Sequence, residues 1–206
     1  MQSKIDRIID IEWRMFDKVR NVSGRADCQD DRETFDIMRR SQFEAWSDAL
    51  VSSCLSDLLE AERQGRNPLT EKYAYMMEYT APDEFQKIKS ALPFLSDRKK
   101  QLVRGIVDEH LERFEEAARR FPLTIARGRP KSGAMDGTDC TSTETYLLGE
   151  LSTCSERTLE EYERYMTQLR ESGQNIVCMI LENTARKYGH KSLEALEEFL
   201  AVSESP

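Results

Sequence analysis

Apolar residues recur at three- and four-residue spacing along almost the whole chain, and alternating β-branched runs are absent, so the pattern predicts an all-α protein. The periodic stretches place about eight helices, over residues 2–20, 31–64, 69–80, 82–92, 97–121, 142–172, 175–188 and 191–203. Their ends have local reasons. The turns "GRNP" (Gly65 to Pro68) and "SGQN" (Ser172 to Asn175) supply residues that tolerate the left-handed conformation that closes a helix, and Pro82 and Pro93 force boundaries. The stretch "ARGRPKSGAMDGTDCTS" is rich in Gly, Pro, Ser and Asp and reads as the one long loop.

The order of these elements repeats. Residues 1–93 and 97–203 each give a first helix, a loop with Gly-Arg and Asp-Cys, and a long helix opening Glu-Thr-Phe or Glu-Thr-Tyr. A Gly-x-Asn turn, a helix ending Glu-Tyr-Thr or Glu-Asn-Thr and a short final helix follow. The expectation is a single domain, residues 1–206, built from two diverged four-helix repeats packed about a pseudo-twofold axis, because the period is far longer than that of solenoid repeats. The pairs would be Arg25 with Arg129, Cys28 with Cys140, Glu33 with Glu144, Gly65 with Gly173, Glu78 with Glu182 and Phe16 with Phe114. Asp30-x-x-Glu33 and Thr141-x-x-Glu144 have the form of capping boxes, which makes Asp30 and Thr141 the expected N-caps.

Polar residues on apolar faces are the candidate chemistry. On the first helix Ile5, Ile8, Ile9, Trp13, Met15, Phe16 and Val19 share one arc, and Glu12 falls at its centre. On the fifth, Leu102, Val103, Ile106, Val107, Leu111 and Phe114 define the face, and His110 falls at its centre. Pairing Phe16 with Phe114 makes Glu12 and His110 equivalent. Arg39 and Gln42 share the arc of Phe35, Met38 and Trp46, and a buried arginine needs a carboxylate or an anionic ligand, with Glu12 the nearest candidate. "NIVCMIL" is apolar all round and predicts a fully buried helix, with Glu182 directly after it. Tyr73 and its aromatic neighbours in "EKYAYMMEYT" are core or pocket wall.

Net charge of -8 and the lack of a basic tract with interleaved aromatics argue against nucleic acid and anionic membrane surfaces as partners. No segment has the form of a secretory signal or a membrane span, so a cytoplasmic protein is expected. Five cysteines without CxxC spacing suggest reduced thiols, with Cys28 and Cys140 set apart by their place in loops just before helices.

Together these features predict a buried polar pocket between two helical halves. In the enzyme reading Glu12 or Glu182 is the base and His110 an acid or base, while Arg25, Arg39, Gln42 and Tyr73 bind an anionic or amide-bearing metabolite. A variant places a divalent metal on Glu12, Glu182 and His110, against which stands the missing Glu-x-x-His spacing of di-iron bundles. The alternative is a non-catalytic helical adaptor that binds a protein partner through acidic faces such as "LEEYERYMTQLRES". No standard catalytic signature decides between them.

The run "EWRMFDKVRNVSGRADCQDDRETFDIMRRSQFEAW", with "LTEKYAYMMEYT", "ETYLLGEL" and "MILENTARKYGHKSLEALEEF", resembles a bacterial family known only as a domain of unknown function, number four-one-two-five. The resemblance spans essentially the whole chain and implies a bacterial cytoplasmic protein. It brings no assigned activity and no site residues.

Overall fold

A computed structural model describes residues 1–20, 24–137 and 140–203. Among these residues every regular element is helical, and eleven α-helices replace the eight expected. They are α1 Gln2–Phe16, α2 Arg32–Glu44, α3 Asp48–Arg63, α4 Pro68–Thr80, α5 Pro82–Ile88, α6 Asp97–Arg120, α7 Pro122–Ala126, α8 Thr143–Thr153, α9 Glu156–Glu171, α10 Ile176–Lys187 and α11 Leu193–Ser203.

Most of the difference lies in two breaks. The helix expected over 31–64 stops at Glu44 and restarts at Asp48, because Ser47 adopts an extended backbone and accepts the Leu50 N–H on its side chain. The helix expected over 142–172 breaks in the same way at Ser155, which accepts the Thr158 N–H. In both places a serine followed by an acid outcompetes helix continuation by offering a cap to otherwise unsatisfied donors. The cap positions of α2 and α8 also shift by one residue: Asp31 and Ser142, not Asp30 and Thr141, accept the N–H of Thr34 and Thr145.

The turns read from sequence form as expected. Gly65 and Gly173 take φ of 68° and 67°, and each closes its helix with the next residue's N–H reaching back, Arg66 to Ala61 O and Gln174 to Leu169 O. Asn67 and Asn175 then cap α4 and α10, and each side-chain amide also donates to an earlier helix, Asn67 to Met15 O at 2.8 Å and Asn175 to Arg113 O at 2.9 Å. Asp139 of the second Asp-Cys lies outside the described residues.

One core runs through the molecule, from Ile5, Ile8, Phe43 and Leu50 to Val107, Leu151, Tyr162 and Ile176. Helix α1 packs on α2, α3 and α4; α6 packs on α8, α9 and α10. Between the two groups α4 lies on α8, α2 on α10, and α3 on α9. The α4–α8 approach depends on Gly149, where a Cβ would stand 2.5 Å from Met76 Cγ and 2.8 Å from Lys72 O. Helix α10 is not fully buried as its apolar sequence suggests: only Ile176 and Ala185 reach that state, because α10 sits at the side of the bundle.

Candidate functional site

The close α4–α8 crossing brings four charged side chains together below the surface. Arg39 on α2 donates from Nε and Nη2 to the two carboxylate oxygens of Glu12 on α1, both at 2.7 Å. Its Nη1 donates to Glu150 Oε1 on α8 at 3.0 Å and to Gln42 Oε1 at 2.7 Å. Gln42 returns a bond from Nε2 to the same Glu150 oxygen, and Lys72 on α4 donates to Glu150 Oε2 at 2.9 Å. Glu12, Arg39, Lys72 and Glu150 are 4, 8, 3 and 9 % exposed, so two anions and two cations neutralise one another almost without water.

The fields follow from that geometry. Burial opposes the Arg39 cation, but Glu12 and Glu150 more than offset it and raise its pKa well above the ordinary value. Burial likewise opposes the Lys72 ammonium, and Glu150 prevails. Glu150 resists the upward push of burial because Arg39 and Lys72 hold it far below the usual carboxylate range. The cations have aromatic support as well: Arg39 lies over the Phe43 ring, and the Tyr146 ring takes Lys72 at 3.4 Å and Arg129 at 4.5 Å from its centroid.

This network forms one wall of a cavity of about 200 Å³. Helices α1 to α4 contribute Glu12, Arg39, Cys54, Asp57, Leu69 and Lys72, while α6, α8 and the α8–α9 junction contribute Lys99, Glu150, Thr153, Cys154 and Ser155. Trp46 also lines it, is 6 % exposed, and has an indole N–H with no hydrogen-bond partner. Tyr162 Oη lies near that indole but outside hydrogen-bond geometry. Burial raises the thiols of Cys54 and Cys154, the latter to about 12, so both are neutral.

Of the residues singled out by sequence, the fold brings Glu12, Arg39 and Gln42 together. His110 is buried elsewhere, with Nε2 2.6 Å from Tyr162 Oη, and desolvation lowers its pKa to about 4 although the Glu150 charge acts the other way. Its bond is to Tyr162 rather than to Glu12. Glu182 does not reach the centre: Oε2 accepts the Leu193 N–H at the start of α11 at 2.5 Å and Oε1 accepts from Arg186 at 2.6 Å. Arg25 ties its loop to the end of α1 through Asp17, Asp30 and Gln29 O, and those partners keep it away from the cavity. Tyr73 stacks in the aromatic group of Trp13, Phe16 and Phe35 and is not among the residues lining the cavity. Cys28 and Cys140 are exposed. Glu33 lies in the first turn of α2, and Glu144, in that of α8, accepts the Gly133 N–H and so fastens the long loop.

The metal variant finds no arrangement to support it, since among the described residues no group of three or more His, Cys, Asp or Glu could hold an ion. No helix among them is long and apolar enough to cross a membrane. Sequence reasoning missed Lys72, Glu150, Trp46 as an unsatisfied donor, and Lys99. One signal was present: "YLLGEL" holds a glycine inside a helix, which costs stability unless close packing needs it, and the Glu that follows occupies an otherwise apolar run.

Fold and site together define an all-α domain with a charged, neutralised wall facing a partly open cavity. The family model described as a protein of unknown function (DUF4125) matches residues 2–198, and the chain belongs to that family. No curated protein and no solved structure matches it.

Proposed function

We propose that this protein binds a small metabolite in the cavity between its two helical halves, with Glu12, Arg39, Lys72 and Glu150 as the polar wall and Trp46 as part of the lining. The observation that carries the reading is the buried network itself, two carboxylates and two cations joined from four helices along one wall of a cavity of about 200 Å³. Replacing such ion networks with apolar side chains is often neutral or stabilising, so the presence of one beside a cavity favours a role beyond folding. Acid–base chemistry on an anionic or amide-bearing ligand stays within this reading. Both Glu12 oxygens are committed to Arg39, so a proton carrier would come from elsewhere on the wall.

The site would lie on the approximate axis of two diverged repeats, residues 1–93 and 97–203. What supports this is that exchanging the halves maps the pairings among α1–α4, α6 and α8–α10 onto themselves, although α7 has no counterpart. The α1 contacts with α2, α3 and α4 become the α6 contacts with α8, α9 and α10, α4 on α8 becomes α10 on α2, and α3 on α9 returns itself. The amides of Asn67 and Asn175 reach Met15 and Arg113, which stand in the same register as Phe16 and Phe114.

A thermal-shift titration with small carboxylates, amides and carbonyl compounds tests the reading, using Thr153→Trp to fill the cavity. A ligand that binds only the native state must raise its melting temperature. Compounds that stabilise the wild type and not Thr153→Trp are the expected result; equal shifts in both, or none in the wild type, would refute it.

A further inference from the structure

Four cations line the cavity: Arg39, Arg66, Lys72 and Lys99. Arg39 and Lys72 are paired in the network, and Arg66 grips both oxygens of Glu71 at 2.9 and 2.6 Å. Lys99 differs. It is half-buried, and among the described residues its side chain makes no hydrogen bond and no ion pair. Its neighbours at the start of α6 do find carboxylates, Arg98 at Glu156 and Glu160 and Lys100 at Asp97. Lys99 instead turns into the cavity from the first turn of a helix, where the macrodipole disfavours a positive charge.

We propose that Lys99 is a nucleophilic amine that forms an imine with a small aldehyde or ketone held in the cavity; the inference rests on the cavity being a ligand site. Burial is the largest influence on Lys99 and lowers its pKa; Arg66 and the positive end of α6 act the same way, while Cys154, Asp57 and Glu71 act against it without reversing the direction. A space of about 200 Å³ accepts a compound of roughly six to ten non-hydrogen atoms, given that a cavity near 150 Å³ takes up benzene. The Lys99 Nζ lone pair attacks the carbonyl carbon, the C–O π electrons move to oxygen, and that oxygen takes a proton. Loss of water from the carbinolamine, with departure of the remaining N–H proton, leaves the C=N bond, so both amine hydrogens end in the water released. Asp57 is suited to relay them: Oδ2 accepts the Ser155 N–H at 2.8 Å, while Oδ1 has no hydrogen bond among the described residues.

The test is competitive reductive alkylation of the intact protein at neutral pH with cyanoborohydride, read lysine by lysine by peptide mass spectrometry. Limiting formaldehyde reports the reactivity of each amine, and butyraldehyde adds the requirement for room. Lys99 should be labelled several-fold faster than the exposed Lys87 by both reagents, and Lys99→Arg, which keeps the charge, should fold normally and leave Lys87 labelling unchanged. If formaldehyde labels Lys99 no faster than Lys87, the imine proposal is overturned while the cavity reading still stands on its thermal-shift test. If Lys99 is fast with formaldehyde but closed to butyraldehyde, the cavity is no ligand site and both fall.

Discussion

Glu12 and His110 occupy the middle of the buried faces of α1 and α6, at 4 and 5 % exposure, and each is surrounded by a different solution to the cost of burying a polar group. Glu12 is met by a forked arginine, which in turn meets Glu150 and, through it, Lys72. His110 gives its charge up: desolvation leaves the ring neutral, and a tyrosine hydroxyl satisfies Nε2. Compensation brings side chains from four helices to one point, α1, α2, α4 and α8, and that point opens on a cavity. Neutralisation needs two helices, α6 and α9, and neither His110 nor Tyr162 is among the cavity's lining residues. The charged cluster lines the cavity that the ligand-binding proposal uses, while the neutral pair lies in the core away from it.

The comparison breaks most visibly if the charged side is cut. Arg39→Met leaves Glu12 and Glu150 buried with their main cation gone, and should cost about 3–5 kcal/mol in urea unfolding, with a proportionate fall in melting temperature. The neutral side predicts a pH effect instead. The His110 pKa is about 4 in the fold against 6.5 for an ordinary histidine, so between those values the unfolded chain holds a proton that the fold refuses. Stability should thus fall as pH drops from about 6.5 toward 4, by up to a few kcal/mol, and His110→Gln should flatten that slope. Glu150, held low, adds its own loss only below the ordinary value of 4.5.

Smaller effects sharpen the picture. Gly149→Ala should push α8 off α4 at a cost of about 1–3 kcal/mol, because the new methyl meets the Lys72 carbonyl as well as Met76. The same change at Gly105, exposed within α6 and free of neighbours, should stabilise by about 0.5–1 kcal/mol, so the pair of unfolding curves separates packing from propensity. Asn67→Ala and Asn175→Ala should each cost about 1 kcal/mol as lost caps, and matching losses would support the equivalence of the two halves.

Periodicity was enough to read the helical class, the turn glycines and the burial of Glu12, Arg39 and His110, since each depends on residues close in sequence. The link between Glu12 and Arg39 was also legible, from the rule that a buried charge needs a counter-charge. Lys72 and Glu150 were not, because their meeting depends on how closely α4 and α8 approach, and a single glycine controls that distance. Glu182 was assigned to the centre because it follows an apolar run and Arg25 because its loop motif recurs, yet each is claimed by local partners, a helix start for one and loop carboxylates for the other. The helix breaks at Ser47 and Ser155 show the same limit: the apolar rhythm continues across both, and only the cap chemistry stops the helix.

The most direct measurement replaces the whole charged wall at once, Glu12→Leu with Arg39→Met, Lys72→Met and Glu150→Leu, and follows both unfolding and ligand-induced stabilisation. If the network serves a ligand, the variant should fold with a melting temperature equal to or above the wild type and lose the stabilisation that small carboxylates, amides or carbonyl compounds give the wild type. A variant that fails to fold to one state, or one that still responds to those compounds as the wild type does, would contradict it.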